Sequence, residues 1–72
     1  PPRPTPEEIK ETMLRHAKLQ IEFKGDFIGI REMRKHVAWY TKGMKGSAKL
    51  RDAINQVESY EELEVLLDKA IV

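Results

Sequence analysis

Few side chains in this 72-residue chain are equipped for covalent or acid–base chemistry. There is no cysteine, hence no thiolate nucleophile, no thiolate metal ligand and no disulfide. That absence fits a reducing compartment. The hydroxyl candidates, Ser47 and Ser59, both stand where a helix needs an N-cap, which accounts for a serine without nucleophilic attack. His16 and His36 are the only imidazoles. Glu32 and His36 are one helical turn apart, but two ligands are too few to hold a metal ion. The carboxylates fall at capping positions or on solvated faces, and none reads as a buried acid–base pair. No catalytic and no metal-binding residue is assigned, and the isolated chain is expected to be catalytically inert.

Charge is the stronger signal. The net charge is +1, yet Lys24 to Arg51 carries a balance of +6 and Asp52 to Val72 a balance of −5. A basic middle and an acidic end point to an anionic partner on one side, the plain alternative being a dipolar solvated surface. Arg31, Arg34 and Lys35 come within one turn, and Lys42, Lys45, Lys49 and Arg51 follow. Arginine suits bidentate phosphate contacts. Trp39 and Tyr40 are candidates to stack on a base, although Tyr40 lies on an apolar seam and a small core has use for the area of Trp39. Gly43-x-x-Gly46 is similar to the turn with which KH domains clamp a nucleic-acid backbone, but no strands accompany it here. Two glycines permit close approach of a phosphate, but an ordinary interhelix turn is the plainer explanation. The candidate nucleic-acid contacts are Arg31, Arg34, Lys35, His36, Lys42 and Lys45.

Helices must position these residues. Pro1 to Pro4 reads as an extended linker. Thr5, Pro6 and Glu8 form a capping-box start, and Ile9, Met13, Ala17 and Ile21 recur on one face with Leu14 beside them. Leu19 and Phe23 lie on another side and would need a second buried contact. Gly25 is the expected C-cap. A second helix is predicted from about Gly29 to Lys42, with Ile30, Met33, Val37 and Tyr40 facing the core. Arg31, Arg34, Lys35, Ala38 and Lys42 share its other face, with His36 and Trp39 between. Ser47 is expected to cap a third helix carrying Leu50, Ala53, Ile54 and Val57. Ser59 with Glu62 should cap a fourth carrying Leu63, Leu66, Leu67 and Ala70. The fold class is all-α, a small four-helix bundle over residues 5–72 with a core of Ile30, Met33, Val37, Leu50, Ile54 and Leu66. No apolar run is long enough to span a membrane.

The stretch from Phe23 to Arg51 is more specific than its composition. Met33-Arg34-Lys35-His36, then Trp39-Tyr40, then Gly43-x-x-Gly46, at this spacing, resembles the C-terminal helical domain of bacterial tRNA-dihydrouridine synthases of the nitrogen-regulation-like branch. The likeness extends more loosely from about Ile9 to Leu67. It implies a parent enzyme in which an N-terminal FMN-binding (β/α)₈ barrel reduces uridine in tRNA to dihydrouridine. NADPH recharges the flavin, a cysteine is the general acid, and the helical bundle helps to hold tRNA. What carries over to this chain is the bundle and its basic residues, chiefly Arg31, Arg34, Lys35 and His36. Relatives commonly have Leu-Pro between the two glycines, where this chain has Met44-Lys45.

The resulting expectation is a tRNA-recognition domain from a cytoplasmic enzyme, with an intramolecular barrel contact and no cofactor of its own. The first residue is proline, and the chain is expected to be a piece of a longer protein. One alternative is a helix-turn-helix DNA-binding domain using Asn55 and Gln56 on its third helix. Another is a protein-docking module using the acidic fourth helix. Reversing Arg34 and Lys35 to glutamate is expected to abolish most RNA binding and leave the fold intact, because both should project away from the apolar seam.

Overall fold

Thr5 opens the first element as expected. In the computed structural model, which describes residues 4–71 apart from the side chain of Ala38, the Thr5 hydroxyl accepts from the Glu8 amide at 3.1 Å. The Glu8 carboxylate in turn accepts from the Thr5 amide at 2.8 Å. With Pro6 in the first turn, the orphan amides of the helix start are satisfied. The linker expected over residues 1–4 falls mostly outside the described residues. Helix α1 (Pro6–Thr41) then runs for 36 residues but is broken at Gly25, where φ is 85° and ψ 165°. Only glycine enters that region at low cost. The break divides α1 into a first arm (residues 6–24) and a second arm (residues 26–41) that folds back antiparallel to it.

The second arm therefore begins directly after Gly25, not near Gly29 as the sequence suggested. A single left-handed residue reverses the chain, and no separate loop is needed. Gly29 instead lies within the second arm and is buried. A Cβ there would stand 2.8 Å from the Ile21 Cα, so glycine is what allows the two arms this close.

Thr41, fully buried, closes α1 by donating its hydroxyl to the Val37 carbonyl at 2.9 Å. Gly43 and Gly46, with φ of 86° and 74°, shape the turn into α2 (Ser47–Ile54). Gly46 is the N-cap of α2. Ser47 is the first residue inside the helix, not its N-cap, contrary to expectation. The left-handed Gly46 brings the chain into the helix one residue earlier than a serine cap would. Helix α3 (Tyr60–Ala70) does start at a serine cap, with the Ser59 hydroxyl accepting from the Glu62 amide at 3.1 Å. Of the expected capping box, only this half is formed among the described residues.

Among the described residues the three elements pack mutually, and with α1 bent at Gly25 they form a small all-α bundle of four helical rods. The core comprises Met13 and Ala17 of the first arm, Ile30, Met33 and Val37 of the second, and Ile54, Val57, Leu63, Leu67 and Ile71. Leu50 and Leu66, expected in the core, lie half-buried at its rim. On α3 the inward stripe is Leu63, Leu67 and Ile71 at spacing four, and Leu66 borders it. Leu19 and Phe23 find no buried contact in this fold and stand in solvent, Phe23 at 83% exposure. No described helix is long and apolar enough to cross a membrane.

Candidate nucleic-acid interface

The second arm presents an apolar side to the core and a mixed cationic–aromatic side to solvent. At about 100° per residue, Arg31, Lys35, Trp39 and Lys42 fall within about 80° of arc. Lys35, Trp39 and Lys42 are exposed, and Trp39 reaches 72%. Trp39 is thus surface, not core, which resolves its two competing uses. Lys45 continues the cationic edge into the turn before α2 and is also exposed. Among the described residues, none of these three lysines has a carboxylate within ion-pair distance.

The other predicted contacts have structural engagements. The Arg34 guanidinium donates through Nε (3.0 Å) and Nη2 to the Val57 carbonyl. Val57 lies between α2 and α3, so Arg34 ties the second arm to that junction with a charge-assisted bond. Its reversal would remove a fold contact as well as a charge, and the expectation that Arg34 is neutral to the fold is corrected accordingly. Arg31 donates Nη1 to the Phe27 carbonyl at 3.0 Å and lies 3.4 Å from the centroid of the Phe27 ring. Its Nη2 is 4.0 Å from the Glu58 carboxylate, an exposed and weak pair.

His36 turns toward the first arm. Its ring centroid is 4.7 Å from that of His16 and 4.7 Å from that of Trp39, the latter edge-to-face. Its Nδ1 is buried and has no hydrogen-bond partner among the described residues. His16 Nδ1 lies 3.2 Å from the Tyr40 hydroxyl, and its Nε2 3.4 Å from the Gln20 amide nitrogen. That pair of contacts is satisfied when Gln20 donates to Nε2 and Nδ1–H donates to Tyr40. Partial burial, and secondarily the charge of His36, hold the His16 imidazole below its ordinary value. The salt bridge from Lys24 to Glu32 (2.6 Å) joins the arms nearer the bend, and its hydrogen bond lowers the Glu32 carboxyl. The meeting of His16 with His36 and Tyr40 was missed by reading the helices separately. Folding the chain back at Gly25 is the signal that puts them opposite one another.

Asn55 and Gln56, the proposed base readers of the helix-turn-helix alternative, lie at and beyond the C-cap of α2. A two-turn helix whose readers follow its last turn is poorly placed to enter a major groove.

A sequence model of the dihydrouridine synthase family matches residues 1–72. The chain belongs to the dihydrouridine synthase family. It is 39% identical over 69 residues to a probable tRNA-dihydrouridine synthase of Mycobacterium leprae, covering 96% of this chain and 18% of that protein. It is 40% identical over 68 residues to probable tRNA-dihydrouridine synthase 1 of Synechocystis, covering 94% of this chain and 19% of that protein. With tRNA-dihydrouridine synthase B of Vibrio vulnificus it shares 38% identity over 53 residues, covering 74% of this chain and 16% of that protein. The chain thus spans less than a fifth of the length of these curated relatives. No solved structure matches it.

An open cleft lined by Ala53, Gln56, Val57, Val65 and Leu66 is edged by Glu61 and Glu62, whose charges oppose the phosphate of a flavin mononucleotide.

Proposed function

We propose that this chain is the tRNA-binding helical domain of an FMN- and NADPH-dependent tRNA-dihydrouridine synthase. The observation that carries the reading is the exposed run Lys35, Trp39 and Lys42 on one side of the second arm, in a chain whose relatives are named for tRNA. On this reading the chemistry, reduction of uridine to dihydrouridine, belongs to an N-terminal barrel of the parent protein that this domain contacts. The domain contributes phosphate contacts that orient tRNA in the cytoplasm, with Lys35, Lys42 and Lys45 as the primary cations. Arg31 is a further candidate, and Arg34 and His36 support the surface from beneath.

The test is titration of the 72-residue chain with tRNA at several salt concentrations. Four phosphate contacts would give a slope of log K against log salt of about −3. The Lys35→Glu/Lys42→Glu double reversal should abolish most of the binding and leave the circular dichroism unchanged, since both side chains are exposed. A double reversal that keeps its helicity and binds tRNA as well as the parent chain would refute the assignment.

A further inference from the structure

Trp39 is the only tryptophan of the chain, and leaving 72% of it in water is unfavourable for a domain with so little core to spare. Its position is nevertheless defined. The indole meets the His36 ring edge-to-face, that ring is backed in turn by the His16 ring across the arms, and the His16 Nδ1 is held at Tyr40. The indole is therefore a buttressed platform, and less orientational freedom remains to be lost when something stacks on it. Lys35 precedes it by one helical turn and Lys42 follows by slightly less, both exposed. An aromatic face between two cations one turn away on either side is complementary to a planar base between two backbone phosphates.

We infer that Trp39 stacks on an unpaired nucleobase, with Lys35 and Lys42 on the flanking phosphates, so that this face selects a single-stranded or looped stretch of RNA over a regular duplex. The inference rests on the tRNA-binding reading above and adds the chemical element that it recognises. In a duplex every base is stacked on its neighbours and offers its edges rather than its face, so a protruding indole has nothing to lie on. An unpaired base offers that face whatever its identity, which makes the contact tolerant of sequence.

Because Trp39 is the sole indole, its fluorescence reports on this contact alone. The 72-residue chain would be titrated with an eight-nucleotide mixed-sequence single-stranded RNA, with a duplex of equal phosphate number, and with tRNA. Stacking predicts saturable quenching by the single strand and by tRNA, and little by the duplex. Trp39→Leu should weaken binding of the single strand by about 5- to 150-fold and that of the duplex hardly at all. Trp39→Phe, which keeps an aromatic face, should recover part of the loss. Both variants should retain the parent's circular dichroism, since so little of Trp39 is buried. Equal quenching by duplex and single strand, or Trp39→Leu binding the single strand as tightly as the parent, overturns the inference. If the Lys35→Glu/Lys42→Glu chain loses tRNA while Trp39→Leu keeps it, stacking alone fails and the phosphate-binding reading stands. If neither variant weakens tRNA binding, both fail.

Discussion

Replacing Gly29 with alanine should destabilise the domain, although the same change inside an ordinary helix stabilises it by about 1 kcal/mol. The sign follows from the geometry of the two arms. A Cβ at residue 29 would stand 2.8 Å from both the Cα and the N of Ile21, and 2.9 Å from the carbonyl carbon of Gln20. All three are backbone atoms, so no side-chain rotation relieves the contact, whereas carbon atoms normally rest about 3.5–4.0 Å apart. The arms must separate by most of an ångström, which loosens the packing of Ile30 and Ala17 behind them. Overpacking of this kind costs about 1–3 kcal/mol. With rigid backbone on both sides the upper end applies, and subtracting the helix-propensity gain leaves a net loss near 2 kcal/mol. For a domain of this size that lowers Tm by roughly 8–16 °C. Thermal and urea unfolding followed by circular dichroism measures it. Gly25→Ala provides a contrast, because a Cβ there meets nothing within 4 Å and the cost is backbone strain alone, of order 1–3 kcal/mol. If Gly29→Ala is as stable as the parent or more so, the arms do not approach as described, and the juxtaposition of His16 with His36 loses its geometric basis.

Removing the guanidinium with Arg34→Met should cost about 1.5–3 kcal/mol, the range for a hydrogen bond from a charged donor, whereas Lys35→Met should stay within about 0.5 kcal/mol of the parent. Equal urea midpoints for the two variants would remove Arg34 from the fold. Leu67→Ala, at a fully buried site, should cost about 2–5 kcal/mol, and Leu66→Ala at the core rim distinctly less. The reverse order in chemical denaturation would mean that the inward face of α3 is misassigned. Acidification should destabilise the domain through His16. Its imidazole is held below the ordinary value of 6.5 in the folded state, so the unfolded chain takes up the proton first. Stability is therefore complete above about pH 6.5 and declines as the pH falls below it, ahead of Glu8 and Glu32, whose lowered carboxyls matter only below their ordinary 4.5. Thermal scans from pH 7.5 to 5 should show the decline in the parent and a flatter profile for His16→Gln, and parallel profiles would assign the acid sensitivity elsewhere.

Local physical chemistry made several features legible in the residues alone. Thr5, Pro6 and Glu8 specify a helix start through hydrogen bonds that span three residues, and the Ser59 cap of α3 is equally local. The apolar spacings of Met13 with Ala17 and of Ile30 with Met33 and Val37 identify buried faces, because the helical repeat is a property of the backbone. The motif from Met33 to Gly46 pointed to the family that the whole chain matches. Other features depend on which elements meet. Gly25 was legible as a helix end, but the abruptness of the reversal, and with it the start of the second arm and the role of Gly29, depends on how closely the two arms pack. Leu63 and Leu67 displace Leu66 from the core because the side of α3 that meets the rest of the bundle is one of two adjacent apolar stripes. Arg34 and Lys35 are neighbours of similar charge in the sequence. Only the placement of the α2–α3 junction beside the second arm makes the first a tie to the Val57 carbonyl and leaves the second in solvent. For Trp39 helical spacing allowed either side, and the packing of His36 against His16 across the bend is what leaves the indole facing water. A periodicity orders residues around one helix axis, while the direction that each face points is set by the other helices that cover it.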